Sequence, residues 1–152
     1  MGFDAECRYV VNVTEPCVFC EIVAGRAPAA CVFENEQVVA IVDLRQSLSG
    51  HVLILPRRHA ETICDLDADS AAALMQAAVR VSRALRDEFA PAGLSLWQSN
   101  GAAAFQEVPH VHLHLHPREM NDNLLRVYPD LPRDTPLAEL EPLAARIRAR
   151  LI

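Results

Sequence analysis

The sequence contains no lysine, because all 14 of its basic residues are arginine. This absence excludes a lysine Schiff base and the lysine-bearing phosphate loop of many nucleotide-binding proteins. No apolar run approaches the length that spans a bilayer, and residues 1–16 do not combine a basic start with a hydrophobic stretch. We therefore expect a cytoplasmic protein that has no membrane partner.

Positive charge is also scarce, since the formal net charge is −6 at pH 7. This balance argues against a general nucleic-acid surface, which needs clustered positive charge, although nucleotides are still possible as small ligands. The five cysteines are an odd number, and the thiols of a protein that is not secreted should stay reduced. The cysteines are thus expected as ligands or packing groups rather than as a disulfide framework.

With 152 residues, the chain has the length of one domain and can bury a sizeable core. We interpret residues 1–16 as a loosely attached leader, 17–118 as the main domain, and 119–152 as a C-terminal loop and helix packed on the same domain. No internal repeat and no break in composition divides the chain.

Hydrophobic periodicity predicts an α+β fold around a mostly antiparallel sheet of about five strands. The strands are expected as a hairpin and three single strands, in segments 31–44, 50–59, 93–100 and 107–119. A short N-terminal helix, a long amphipathic helix and a C-terminal helix are expected within 17–28, 69–90 and 137–152.

Four of the six histidines lie within seven residues, at every second position of "HVHLHLH". On a β-strand this spacing places all four imidazoles on one face, about 6.6 Å apart, and the apolar residues between them on the other face. The four are His110, His112, His114 and His116, and the intervening residues are Val111, Leu113 and Leu115.

Three interpretations of this strand compete. The histidines could simply line a solvent-facing strand, or they could bind a metal as in a metallo-hydrolase or a cupin. The first metal pattern lacks an aspartate beside HxH, and the second has Glu119 at a suitable offset but no closing glycine. In the third, a neutral imidazole attacks phosphorus, which needs assisting groups on the same face. His112, flanked by His110 and His114, fits that description.

The other two histidines, His51 and His59, bracket the third strand, so we expect them at opposite ends of it and in different sites. Cys17 and Cys20 form a CxxC pair whose spacing suits half of a tetrahedral zinc site, with histidine as the obvious source of the other ligands. A redox role for the pair lacks the usual strand-then-helix context.

The segment "FQEVPHVHLHLHPR" resembles the signature of the histidine triad (HIT) family, with Gln106 at the position of an upstream glutamine. The segments "CVFCEIVAGRAPAACVFENEQVVAIVDL" and "SGHVLILPRRH" are also similar to the N-terminal half of that family. The resemblance extends from Cys17 to Arg118 and implies a HIT-like fold.

The resemblance also implies roles for the histidines. His112 would be the nucleophile that attacks the α-phosphorus, His114 would contact the phosphate or leaving group, and His51 would support the site. The substrate would be a purine nucleotide, as a nucleoside phosphoramidate or a dinucleoside polyphosphate, cleaved by a homodimer. In zinc-bearing bacterial relatives a structural zinc is held by residues that correspond here to Cys17, Cys20, His59 and His110.

Nucleotide contacts carry over in the same way. Asp43 would bind the ribose hydroxyls, although it could equally be a turn residue. Phosphate would be bound by Ser99, Asn100 and Gln106. The base pocket would be lined by four apolar residues that could also be ordinary core, namely Phe19, Ile22, Ile41 and Leu44.

The sequence departs from the family pattern at several positions. Glu107 stands where many relatives have Ser or Thr, and its carboxylate would repel phosphate unless it is turned away or protonated. Phe105 replaces a common glycine, the asparagine at Asn100 is shifted by one position, and His116 occupies a normally apolar position. We expect His116 to be a satisfied or surface histidine. Glu107 favours the alternative of a nucleotide-binding zinc scaffold with little turnover.

Overall fold

The computed structural model describes residues 17–124, 130 and 132–151, so the leader at 1–16 lies outside the described residues. One compact unit ends at Asp122 and a second begins at Asn123. The packing of the C-terminal segment on the main domain stays a prediction. None of the helices in these described ranges is both long and apolar enough to cross a bilayer.

Within residues 17–122, the first unit contains two helices and five strands. In chain order these are α1 (Val18–Val23), β1 (Cys31–Glu34), β2 (Val38–Val42), β3 (Val52–Pro56), α2 (Ala68–Phe89), β4 (Gly93–Trp97) and β5 (Leu113–Arg118). Two short 3-10 turns lie at Ile63–Asp65 and Ala102–Ala104. The second unit contains α3 (Leu137–Arg148), which continues through Pro142 as expected.

The five strands form one antiparallel sheet in the order β1-β2-β3-β5-β4, which confirms the predicted fold class. The central strands β2 and β3 are buried along almost their whole length. Both are continuous apolar runs, "VVAIV" and "VLILP", because each face of the sheet at this point is covered.

Each face of the sheet carries its own core. Helix α2 packs on β2, β3 and β5, where its apolar stripe meets Val38, Ile54 and Leu115. On the opposite face, Phe19 of α1 packs against Leu53 and Leu55. The odd-numbered residues of the histidine segment belong to the α2 side, so its histidines face the side of α1.

The histidine segment is only partly a strand, which corrects the sequence interpretation. Strand β5 begins at Leu113, because its ladder with β3 ends at the pair Ile54 and Leu113. His110 and His112 lie in the segment before it, where the N–H of Val111 donates to Ala60 O at 2.7 Å. Residues 110–112 continue the alternation of side-chain directions although they form no ladder, so all four imidazoles still lie on one side of the sheet.

The loop from 43 to 51 enters β3 through a glycine that cannot easily be replaced. Gly50 has φ +100°, and a Cβ built on it would lie 2.8 Å from Phe89 Cε2 and 2.9 Å from Pro117 Cγ. Gln46 fastens the loop, since its Oε1 accepts from the N–H groups of Gly50 and His51 at 2.9 and 3.1 Å. The loop thereby holds His51 at the start of β3.

Candidate active site and metal centre

The structure brings the four residues expected as metal ligands into one cluster. Cys17 and Cys20 lie at the start of α1, His59 follows β3, and His110 precedes β5. Their ligand atoms all lie within 4.8 Å of one another. Cys17 Sγ is 3.4 Å from His110 Nδ1, Cys20 Sγ is 3.3 Å from His59 Nδ1, and the two Nδ1 atoms are 3.2 Å apart.

These separations suit a tetrahedral ion. Zn–S and Zn–N bonds of about 2.3 and 2.05 Å imply S–N separations of about 3.5 Å and an N–N separation of about 3.3 Å. The tautomer of His110 also fits, because its Nε2–H donates to Pro56 O at 2.9 Å and leaves the Nδ1 lone pair toward the cluster. Burial, followed by the neighbouring Cys17, raises the pKa of Cys20 to about 11, so a cation would be needed to hold the Cys20 thiol as a thiolate.

His112 is prepared as a neutral nucleophile. Its Nδ1–H donates to the carbonyl of His110 at 2.7 Å, so the lone pair is on Nε2. The ring is buried and meets the ring of Phe19 edge-on, with centroids 5.1 Å apart. Burial lowers the pKa of His112 below its ordinary value. The imidazole is therefore neutral at pH 7.

His114 and His51 form a hydrogen-bonded pair beside this nucleophile. His51 Nδ1 lies 3.1 Å from the carbonyl of Arg45 and donates to it, so His51 Nε2 accepts at 2.9 Å from His114 Nδ1. Burial lowers the pKa of both side chains, that of His114 to about 3. Asp43 Oδ2, 3.4 Å from His51 Nδ1, can stabilise a positive charge that arrives on the pair.

Trp97 completes the wall of the site, and the sequence interpretation missed it. It is the cross-strand partner of His114 in the β4–β5 ladder, and the two rings stack at 4.6 Å with an interplanar angle of 5°. The indole face lies 5.6 Å from the ring of His51 as well. Such a face favours a protonated imidazole through a cation–π contact. The available signal was the chain's single tryptophan, within the strand predicted in segment 93–100.

His116 is neither a surface histidine nor a fully satisfied one, which corrects the expectation. Its side chain is buried, and Nδ1 donates to Pro117 O at 2.6 Å. Within the described residues, His116 Nε2 has no hydrogen-bond partner. The ring packs against His51 with centroids 4.7 Å apart, so it supports the pair from the side away from His112 without offering it a proton.

Glu107 is ionised and paired, instead of protonated or simply turned away. Arg45, a second residue that the sequence interpretation missed, binds its carboxylate through both terminal nitrogens. The hydrogen bond from Arg45 lowers the pKa of Glu107. Nearby, Phe105 has φ +62°, a left-handed conformation that explains why glycine is common at its position.

The predicted ribose ligand Asp43 does form a turn, since its Oδ1 accepts from the N–H of Arg45 at 2.8 Å. Of the predicted phosphate ligands, Asn100 accepts from the N–H of Ile63 at 2.8 Å through Oδ1. Gln106 bridges Gly101 N and Glu61 O at 2.6 and 2.7 Å. These two amides thus brace the loops around the site.

The four residues predicted to line a base pocket fall into two groups. Phe19 and Ile41 are buried in the core on the α1 side, and Ile22 packs at its edge. Leu44 is fully exposed in the loop after β2. Ser99, which was predicted as a phosphate ligand, lies in the segment after β4, and its side chain is half-buried.

Taken together, the site presents a free imidazole lone pair beside a histidine pair that can receive a proton. This arrangement suits attack on phosphorus followed by protonation of the departing group. The cluster of two cysteines and two histidines lies on the other side of His110, and an ion bound by all four of these residues would have no position open for substrate.

Comparisons with known proteins agree with this geometry. The family model described as HIT domain matches residues 24–121. Protein hit of Bacillus subtilis is 40% identical over 108 residues, covering 71% of this chain and 74% of that protein. The adenosine 5'-monophosphoramidase hnt1 of Schizosaccharomyces pombe is 32% identical over 117 residues, covering 76% of this chain and 85% of that protein.

Solved structures show the same relationship. A HIT family member from Bacillus subtilis superposes with a TM-score of 0.84 at 35% identity, covering 91% of this chain and 99% of that one. A zinc-bound histidine triad family protein from Mycobacterium smegmatis gives a TM-score of 0.66 at 34% identity, covering 89% of this chain and 94% of that one. The fold, the histidine segment and these similarities show that this chain belongs to the HIT family.

Proposed function

We propose that this chain hydrolyses nucleoside phosphoramidates, and by the same chemistry dinucleoside polyphosphates, through a nucleotidyl-His112 intermediate. The observation that carries the proposal is the hydrogen bond from His112 Nδ1 to the carbonyl of His110, which leaves Nε2 free to attack. The similarity to a relative named adenosine 5'-monophosphoramidase supports the phosphoramidate as the first substrate to test.

The reaction has two steps. His112 Nε2 bonds to the α-phosphorus while the P–N bond breaks, and its electron pair leaves with the amine nitrogen. A bound phosphate anion favours the protonated form of His114, which then gives the amine its proton. Water attacks the phosphorus in the second step, returns a proton to the histidine pair and releases the mononucleotide and His112.

The remaining groups would hold the substrate. The Oδ2 of Asp43 is available to a ribose hydroxyl because Oδ1 already serves the turn. Phe19 and Ile41 would form the floor of the base pocket and Leu44 its exposed rim. Ser99 and the loop braced by Asn100 and Gln106 would surround the phosphate.

The test uses adenosine phosphoramidate, with release of AMP measured and the protein followed by intact mass. Wild type should release AMP and show a transient adenylated species. His112→Asn should bind the nucleotide without either signal, because an amide cannot act as the nucleophile. Glu36→Gln, in the exposed turn between β1 and β2, is the control and should keep both signals. Turnover by His112→Asn at the wild-type rate would refute the assignment.

A nucleotide-binding scaffold with little turnover is the alternative. It predicts that wild type binds nucleotide but releases no AMP from the phosphoramidate or from diadenosine tetraphosphate. Pairing of Glu107 with Arg45 removes the main argument for it, since the carboxylate no longer stands unneutralised near the phosphate.

We also propose that Cys17, Cys20, His59 and His110 hold a structural zinc ion. The separations of their donor atoms and the tautomer of His110 support it. When bound, the ion would fix α1 to the segment before β5 and would not activate water, because all four positions are taken by protein.

Metal analysis of the purified protein tests the zinc site. The double variant Cys17→Ser/Cys20→Ser should lose stoichiometric zinc, because hydroxyl groups are poor zinc ligands compared with thiolates. Cys31→Ser, which alters an exposed cysteine on β1, is the control and should keep the metal. Full zinc content in the double variant would disprove the ligand set.

We propose a homodimer as the assembly. Strand β4 is an edge of the sheet, and its Leu94 and Leu96 are 38% and 43% exposed, so pairing with a second copy would cover both. Sedimentation should give twice the chain mass for wild type and a shift toward monomer for Leu96→Glu. A monomeric wild type would refute this proposal.

A further inference from the structure

An ion pair connects the two loops that carry the reacting histidines. Glu107, upstream of His110 and His112, is bound by both terminal nitrogens of Arg45, which is 62 positions earlier in the chain. The backbone of Arg45 accepts the hydrogen bond of His51. The pair thus ties the loop that orients His51 to the segment that carries the nucleophile.

The pair lies on the segments that carry the reacting groups. The carbonyl of Arg45 accepts from His51 Nδ1 at 3.1 Å, and His51 Nε2 accepts from His114 Nδ1 at 2.9 Å. Glu107 precedes His112 in the segment that carries the nucleophile. Both charged residues therefore belong to the segments that surround the place where the leaving group departs from phosphorus.

The pair is weak enough for a ligand to open it. The side chains of Arg45 and Glu107 are 76% and 64% exposed, and ion pairs of this kind contribute little net stability. A charged leaving group can therefore compete for one partner of the ion pair. The preference of the site then depends on how well other charged groups neutralise the partner that is left unpaired.

Compensation is unequal for the two partners, because two carboxylates lie close to one arginine. Asp43 accepts from the N–H of Arg45 through Oδ1 at 2.8 Å and belongs to the same turn, so a carboxylate stays near Arg45 if Glu107 is drawn away. Among the described residues, Arg45 is the one arginine paired with Glu107. An anionic leaving group would therefore leave an unneutralised carboxylate next to itself, whereas a cationic one would not leave Arg45 uncompensated.

We propose that Glu107 and Arg45 select the leaving group by charge, favouring amines with a cationic or neutral tail over anionic ones, polyphosphate included. The inference rests on the proposed phosphoramidate hydrolysis and names its substrate class more narrowly. Glu107 acts as the specificity-determining residue, and Arg45 limits its effect by neutralising it in the free site.

Three adenosine phosphoramidates with leaving groups of equal length test the proposal: diaminopropane with a cationic tail, propylamine with a neutral one and β-alanine with an anionic one. The P–N bond is the same in all three, so kcat/KM compares the tails alone. Wild type should prefer the cationic over the anionic substrate by about 3- to 10-fold, the effect of one unit charge at several ångströms in a solvated cleft.

Two variants should move this ratio in opposite directions. Glu107→Gln keeps the shape and leaves Arg45 balanced by Asp43 alone, so the ratio should fall toward one. Arg45→Gln leaves Glu107 unneutralised, so the ratio should rise above the wild-type value. Glu36→Gln makes the same change in the exposed turn between β1 and β2 and should leave the ratio unchanged.

A ratio that is near one in wild type, or that both variants move in the same direction, overturns the proposal. Calorimetric binding of the three nucleotides to His112→Asn separates this failure from failure of the catalytic proposal. If the affinities of the three nucleotides follow the charge of their tails but wild type shows no turnover, hydrolysis is refuted and charge selection by Glu107 and Arg45 stands. If all three are turned over at equal rates and bind with equal affinity, charge selection alone is refuted.

Discussion

The partly buried position of His114 makes the folded protein sensitive to acid. Burial lowers the pKa of this side chain to about 3, whereas a solvated histidine titrates near pH 6.5. Between these two values the unfolded chain binds a proton that the folded chain does not, so the free energy of unfolding falls as the pH falls below about 6.5. At pH 5 the loss from this one group is about 1 to 2 kcal/mol, because 1.5 pKa units at about 1.4 kcal/mol each set its upper value and solvent around the partly exposed ring reduces it.

The variant His114→Gln removes this titration and keeps an amide donor toward His51. Urea unfolding of both proteins at about pH 7.5 and about pH 5 can be followed by the fluorescence of Trp97, the single tryptophan, which stacks directly on His114. Wild type should lose about 1 to 2 kcal/mol more than the variant between the two pH values. Effects of acid on the other histidines and on the thiols occur in both proteins and cancel in the difference.

Equal losses in wild type and His114→Gln would refute the reasoning, because they would mean that His114 takes up a proton without cost in the folded state. A larger loss in the variant would reverse the sign and is equally incompatible with it. Circular dichroism of the helices, recorded in the same titrations, should give the same midpoints if unfolding is a single transition.

Three further substitutions have defined outcomes. Gly50→Ala should destabilise by about 2 kcal/mol in urea unfolding, since it combines a positive φ with a clash against Phe89. His116→Leu should change stability by less than about 1 kcal/mol in the same assay, because it removes a buried nitrogen that lacks a partner within the described residues but also the hydrogen bond from Nδ1 to Pro117 O. Trp97→Leu should lower kcat by about 3- to 10-fold with KM little changed, because the indole face no longer favours protonated His114.

The parts of the fold that follow from local patterns could be predicted. Strands β2 and β3 are short apolar runs bounded by turns, and α2 repeats apolar residues at helical spacing, so their types and approximate ends were accessible. His51 and His59 were expected at opposite ends of β3 and in different sites, and the structure places them so. Alternation alone also assigned the histidines to one face.

Features that depend on contacts between distant segments could not be predicted in this way. The point where β5 begins is set by the end of its ladder with β3 and not by its own residues. Trp97 reaches the site only because the β4–β5 register places it opposite His114. Arg45 neutralises Glu107 across 62 positions of the chain, and no local pattern in either segment records that pairing.

His110 shows why spacing alone gave the right residues but not the way they act together. Its Nδ1 faces the two cysteines, its Nε2–H is fixed by Pro56 O, and its carbonyl accepts the hydrogen bond that sets the tautomer of His112. The sequence suggested neighbouring side chains that share a face, whereas the link between the cluster and the nucleophile runs through the backbone of one residue. A metal held by His110 would therefore influence catalysis by fixing the direction of that carbonyl, since an ion enclosed by four protein ligands has no position from which to touch substrate.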